Sequence, residues 1–184
     1  TRIGGIGLAT IVQDALARRA RAAGATVVMG GPHPCYGLDE VLVHRGGGIG
    51  QPADPPGGEG KYSDPVLFHN GARYQAKGYC TDVYFDHALE WIRARHEADE
   101  PFFCYIATNA PHGPLNVEPR YTDPYLGPTG HEDRARFFGM IANIDENVGK
   151  LRVRLEELGI AENTIFVFMT DNGSWNGVEL DENE

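Results

Sequence analysis

Seven apolar residues, Phe137, Ile141, Ile144, Val148, Leu151, Leu155 and Leu158, recur at alternating steps of four and three, a spacing that only one regular structure can satisfy. On a helix of 3.6 residues per turn they fall on one stripe, which leaves the intervening Glu and Arg residues for solvent. The pattern predicts a helix over 133–158, closed by Gly159 where a left-handed residue ends a helix. Two continuous apolar runs flank it, Phe102–Ala107 before and Thr164–Met169 after. Each is too short for a helix and reads as a strand buried on both faces. Strand, long helix and strand in that order form the crossover unit of a parallel sheet. The expected fold class is therefore α/β, a mostly parallel sheet with helices on both faces.

The rest of the pattern fits that frame. Ile11, Leu16 and Ala20 mark one side of a helix predicted over 10–23, with Arg18, Arg19 and Arg21 left for solvent and Gly24 as its stop. A short strand follows over 25–29. Asn70-Gly71, between Val66-Leu-Phe68 and Ala72-Arg-Tyr74, predicts a hairpin. Thr81 reads as the N-cap of a helix running to Glu97, with Asp82 near its positive end and Val83, Ala88, Leu89 and Ile92 on its apolar face. The first half of 45–77 is too rich in Gly and Pro for regular structure and reads as a rim loop or a surface excursion.

Composition narrows the possible partners. A chain of 184 residues, 41% hydrophobic and 23% charged, has the make-up of one globular domain or part of one. Its net charge of −10 argues against nucleic acid, or an anionic membrane surface, as the main partner. No run approaches the length of apolar sequence that spans a bilayer. The three cysteines, Cys35, Cys80 and Cys104, lack C-x-x-C spacing, which disfavours a thiolate zinc site or a redox pair. Cys104, inside the run 102–106, reads as a small buried hydrophobe.

In open α/β sheets ligands gather beyond the carboxyl ends of the strands. All three predicted strands end in polar loops, which carry His33, His112 and the pair Asp171-Asn172. Those residues are expected along one edge of the sheet. Asp171 and Asn172 supply a carboxylate and an amide oxygen, hard donors that suit calcium or magnesium better than zinc or copper. By spacing alone, Asp171-Asn172-Gly173 serves a turn as well as it serves a metal site, and two donors are too few for either ion. His112 is flanked by Pro111 and, beyond Gly113, by Pro114, which limits its backbone and favours a preorganised role in anion binding or proton transfer. His44, His69, His87, His96 and His131 have no local constellation and read as ordinary residues. The glycines at 5–7 lack both a preceding strand and a following Gly-Lys-Ser/Thr, so they make no phosphate loop. No G-x-S-x-G nucleophile is present, which argues against an α/β-hydrolase.

Five stretches, taken in order, carry a resemblance: Gly78-Tyr-Cys-Thr-Asp82, Glu100-Pro-Phe-Phe-Cys-Tyr105, Asn109-Ala-Pro-His-Gly-Pro114, Ile144-Asp-Glu-Asn-Val-Gly149 and Thr170-Asp-Asn-Gly173. Together with Leu38-Asp-Glu-Val-Leu-Val-His44 they resemble type I sulfatases, the arylsulfatase-like enzymes of the alkaline-phosphatase superfamily. The resemblance implies an alkaline-phosphatase-like fold and hydrolysis of sulfate esters, with a sulfated small molecule or carbohydrate as substrate. It gives His112 the role of contacting the sulfate. Asp171 and Asn172 become ligands of a divalent cation, calcium or alternatively magnesium, that polarises the sulfate and holds a formylglycine hydrate. His33 matches the histidine of the family's Gly-Lys-x-His motif, with Gly31 standing where the family has lysine. The family also points to periplasm, cell exterior or lysosome.

Two family features do not occur in the sequence: the upstream Asp-Asp metal pair, and the C-x-P-x-R motif that matures to formylglycine. Residues 1–184 are therefore expected to be an incomplete part of a single catalytic domain, lacking its nucleophile segment and its C-terminal portion, and inactive alone. The alternatives are a phosphatase, phosphodiesterase or phosphonate hydrolase of the same superfamily, or a non-catalytic binding relative, for which Gly31 is the support.

Overall fold

The computed structural model describes residues 18, 19, 22, 26–30, 40–44 and 61–170. Strand β1 (Thr26–Gly30) lies at the predicted place and sits between β2 (Glu40–Val43) and β5 (Phe102–Tyr105), parallel to both. Val28 is level with Glu40 on one side and Cys104 on the other. The predicted hairpin forms as β3 (Val66–His69) and β4 (Ala72–Gln75), added antiparallel to β2, so the sheet runs β4-β3-β2-β1-β5. Its turn needs two left-handed residues, and Asn70 and Gly71 supply them at φ 49° and 83°.

Helix α1 (Cys80–Glu97) packs on β1 and β5, and α2 (Pro119–Thr129) and α3 (Glu132–Glu157) form a layer in which α3 lies against both other helices. One core cluster joins Leu42, Leu67, Tyr62, Tyr79, Tyr84 and Met140. A second joins Phe85 and Ile92 of α1 to Leu151 and Leu155 of α3. Each fully buried Leu contributes about 1.5–3 kcal/mol. The α/β class is as expected; the parallel part β2-β1-β5 carries an antiparallel hairpin on one edge. Of the helix expected over 10–23, only Arg18, Arg19 and Ala22 are described, helical and exposed.

Several local expectations are corrected. Thr81 is not the N-cap of α1: Tyr79 occupies that position without a side-chain cap, and the Thr81 hydroxyl is buried with no hydrogen-bond partner among the described residues. Asp82 faces inward, where its Oδ1 accepts from the side-chain amides of Asn143 at 2.8 Å and Asn147 at 2.7 Å. That contact turns α3. Its buried line runs through Ala135, Gly139, Met140, Asn143, Asn147, Leu151 and Leu155, while Ile141, a member of the predicted stripe, is 40% exposed. Gly139 allows the turn, because a Cβ there would stand 3.0 Å from the Tyr121 backbone of α2. Helix α2 was not among the expected elements; it holds Pro124 and Pro128 inside it, and Pro119 at its start fits the first turn, where no N–H is needed.

The largest correction concerns the strand expected over 164–169. It does not form. After the short 3₁₀ turn Ala161–Asn163 the chain runs on without sheet pairing, and Ile165 is 93% exposed. A strand exists only through a partner, and among the described residues β5 pairs with β1 alone. For the same reason β5 is half-buried rather than covered on both faces.

Candidate functional site

Beyond the carboxyl end of β5 the chain enters the loop 106–117, which carries His112. Local bonds shape it first. Thr108 Oγ1 donates to the Ala110 carbonyl at 2.8 Å, and the His112 N–H donates to the Asn109 carbonyl at 2.9 Å. The Ala110–Pro111 and Gly113–Pro114 peptide bonds are both cis.

Buried side chains then fix the loop from below. The Tyr62 hydroxyl donates to the His112 carbonyl at 2.7 Å, and the Tyr79 hydroxyl donates to the Asn116 carbonyl at 2.8 Å. The two rings stack, with centroids 5.5 Å apart. Tyr84 donates to Asn109 Oδ1 at 3.2 Å and is also hydrogen-bonded to the His44 backbone, so one hydroxyl ties the end of β2 to the end of β5. Burial raises all three phenols above their usual range, which keeps them as O–H donors.

His112 itself is exposed. Its Nδ1 lies 2.8 Å from the Gly113 carbonyl, which can only accept, so Nδ1 carries the proton. In the neutral ring the Nε2 lone pair is then available to take a proton; in the charged ring Nε2–H is a donor for an anion. The site therefore offers one oriented imidazole edge on a loop held by three phenols. Tyr62, Tyr84 and Asn109 were not singled out from sequence. Asn109 and Tyr79 fall inside the quoted motifs, but nothing local marks Tyr62, 50 residues from the carbonyl it holds.

The other expected site residues, His33, Asp171 and Asn172, lie outside the described residues. Neither described cysteine suits conversion to formylglycine. Cys80 is fully buried, burial pushes both thiols up to about 12, and Cys80 and Cys104 are followed by Thr81 and Tyr105 rather than by the motif. Among the described residues, donor atoms converge at Glu40, His69 and His87, a nitrogen-rich set at the amino end of β2 and not at this loop.

A family model described as Sulfatase matches residues 8–179. A protein of Escherichia coli K12 named as an uncharacterized sulfatase, YdeN, is 34% identical over 118 residues, which is 64% of this chain and 21% of that protein. The N-acetylgalactosamine-6-sulfatase of Rattus norvegicus is 35% identical over 51% of this chain and 17% of its own length. The chain thus spans about a fifth of these curated relatives. Among solved structures, Ps i-CgsB superposes with a TM-score of 0.64 at 23% identity over 77% of this chain and 36% of that one. A second structure, solved with its substrate D-glucosamine-2-N,6-O-disulfate, gives 0.60 at 16% identity over 78% and 46%. At these identities the structural likeness speaks for the fold.

Proposed function

The chain belongs to the sulfatase family, and from that premise we propose that it forms part of the catalytic domain of a sulfuric ester hydrolase in which His112 meets the substrate's sulfate. The observation that carries this reading is the held loop: an exposed imidazole whose backbone is anchored by Tyr62 and by Asn109. Ordering an imidazole in advance lowers the cost of orienting it when a charged ester binds.

With Nδ1–H committed to the Gly113 carbonyl, Nε2 is the working atom. As imidazolium it donates to a sulfate oxygen and offsets negative charge there, or hands its proton to the leaving alcohol oxygen. Asp171 and Asn172, both oxygen donors, fit a calcium or magnesium ion and are the residues of this chain that would hold it. A bound cation would polarise the sulfate. The described cysteines, Cys80 and Cys104, do not fit formylglycine. His33 is a second candidate contact for the anion. The substrate class is a sulfated small molecule or carbohydrate; the structural neighbour named above binds a sulfated glucosamine.

The test is an aryl sulfate assay with calcium calorimetry on the full-length protein. The reading expects turnover that chelation removes and that Asp171→Ala abolishes together with calcium binding. Calcium binding with no turnover of any sulfate ester, or preferential turnover of a phosphate ester, would overturn it.

A further inference from the structure

Glu40, His69 and His87 come from three elements, and the fold brings them to one point. Glu40 opens β2, His69 ends β3 and His87 sits two turns into α1. His69 pairs across the sheet with Leu42, and alternate residues share a face, so Glu40 and His69 project on the same side. His87 reaches that side from α1: its Nε2 lies 3.1 Å from Glu40 Oε1, and the His69 Nε2 contacts the same oxygen. The two imidazoles meet edge to face with centroids 5.0 Å apart. One candidate donor atom from each residue therefore lies within 4.8 Å of the other two.

We propose that Glu40, His69 and His87 form a second metal site, for a first-row divalent ion of the zinc type, which ties the hairpin edge of the sheet to α1. Two imidazoles with one carboxylate make a His2Glu set of the kind that holds zinc, and the two nitrogen donors suit calcium or magnesium poorly. Donors around a tetrahedral zinc stand about 3.3 Å apart, given bonds of about 2.0–2.1 Å. The Glu40–His87 separation of 3.1 Å is close to that value, and the His69 imidazole, which stands nearer to the same oxygen, would draw back to admit the ion. The carboxylate is also held for the task. Asn70 donates to Glu40 Oε2 at 3.1 Å and is itself pinned, its Oδ1 accepting from the Val41 N–H at 2.8 Å. This leaves Oε1 facing both rings, the outer-shell arrangement that orients a metal-binding carboxylate.

Side-chain exposures of 20% for Glu40, 25% for His87 and 38% for His69 leave an entry path and room for water as a fourth ligand. The site is separate from the His112 loop, which lies beyond the carboxyl end of β5. It does not depend on sulfate chemistry, and its oxygen-poor donor set differs from Asp171-Asn172.

The probe is zinc, followed by calorimetry on the full-length protein, with cobalt as the optical reporter. One zinc is expected to bind with an affinity that His69→Ala and His87→Ala each lower by more than about 100-fold, and Asn70→Ala by about 10-fold, while Asp171→Ala leaves it unchanged. Zinc at saturation is expected to raise the melting temperature of the wild type and not of the histidine variants. X-ray absorption on the wild-type zinc complex needs no variant and keeps the question decidable if a substitution unfolds the chain: two imidazoles in the shell support the site. An all-oxygen shell, or zinc binding that survives both histidine changes in folded protein, overturns it.

Discussion

Two segments at the ends of the same helical layer behave in opposite ways. The loop 106–117 is polar, rich in Pro and Gly, and held at several points. The run Ile165–Met169 is continuously apolar, and its residues are 42–93% exposed. Apolar character alone does not bury a segment; a partner surface must be present. Polar character does not loosen one, provided that buried donors reach its carbonyls. Tyr62, Tyr79 and Tyr84 do this for the loop, each with its ring in the core and its hydroxyl on a loop acceptor.

The largest effect on stability is expected where that support is removed. Tyr62→Ala empties a fully buried site and is expected to cost about 3–5 kcal/mol, read as a lowered melting midpoint; a cost near zero would break the contrast. Tyr62→Phe keeps the ring and removes only the bond to the His112 carbonyl, so it is expected to cost about 1 kcal/mol while slowing sulfate ester turnover more than it affects folding. Gly139→Ala pushes α3 against the Tyr121 backbone and is expected to cost about 1–3 kcal/mol in denaturant midpoint.

A smaller effect concerns the surface pairing of α2 with α3. Glu146 accepts from Arg120 and pairs with Lys150, which hold its carboxyl down at about 2, below its unfolded value of 4.5. Because the folded value is the lower one, the contribution is fully present above the unfolded value and is lost as pH falls from there through about 2. Melting of wild type against Glu146→Gln should differ slightly at neutral pH and converge in acid; a difference that grows in acid would refute the sign. The groups are exposed, so the effect is small. Smallest of all, Val167→Ser in the 184-residue chain is expected to change stability by no more than about 0.5 kcal/mol. A loss of several kcal/mol would show that the apolar run is covered after all.

The same contrast explains what could be read from the sequence. Periodicity and turn chemistry located β1, the Asn70-Gly71 hairpin, α1 and α3 to within a few residues, because these signals are local. The face of α3 was legible in part: Leu151 and Leu155 are buried and Ile144, Val148 and Leu158 pack on the core as expected. An apolar count puts Ile141 inside and Asn143 outside, whereas Asp82, 61 residues away, draws Asn143 in. Helix α2 was hidden by its own prolines. At the candidate site His112 stood out through its flanking prolines, but the phenols that hold its loop act across long separations and leave no pattern. Glu40, His69 and His87 were invisible for the same reason, since 29 and 47 residues separate the contacting pairs.

The central claim is that the held loop exists to present His112 to a sulfate ester. It is tested most directly by steady-state hydrolysis of an aryl sulfate by the full-length protein and its His112→Ala variant, each checked for an unchanged melting temperature. A fall in kcat/KM of about 10²–10⁴-fold with stability retained is expected. Equal turnover by both proteins would contradict it.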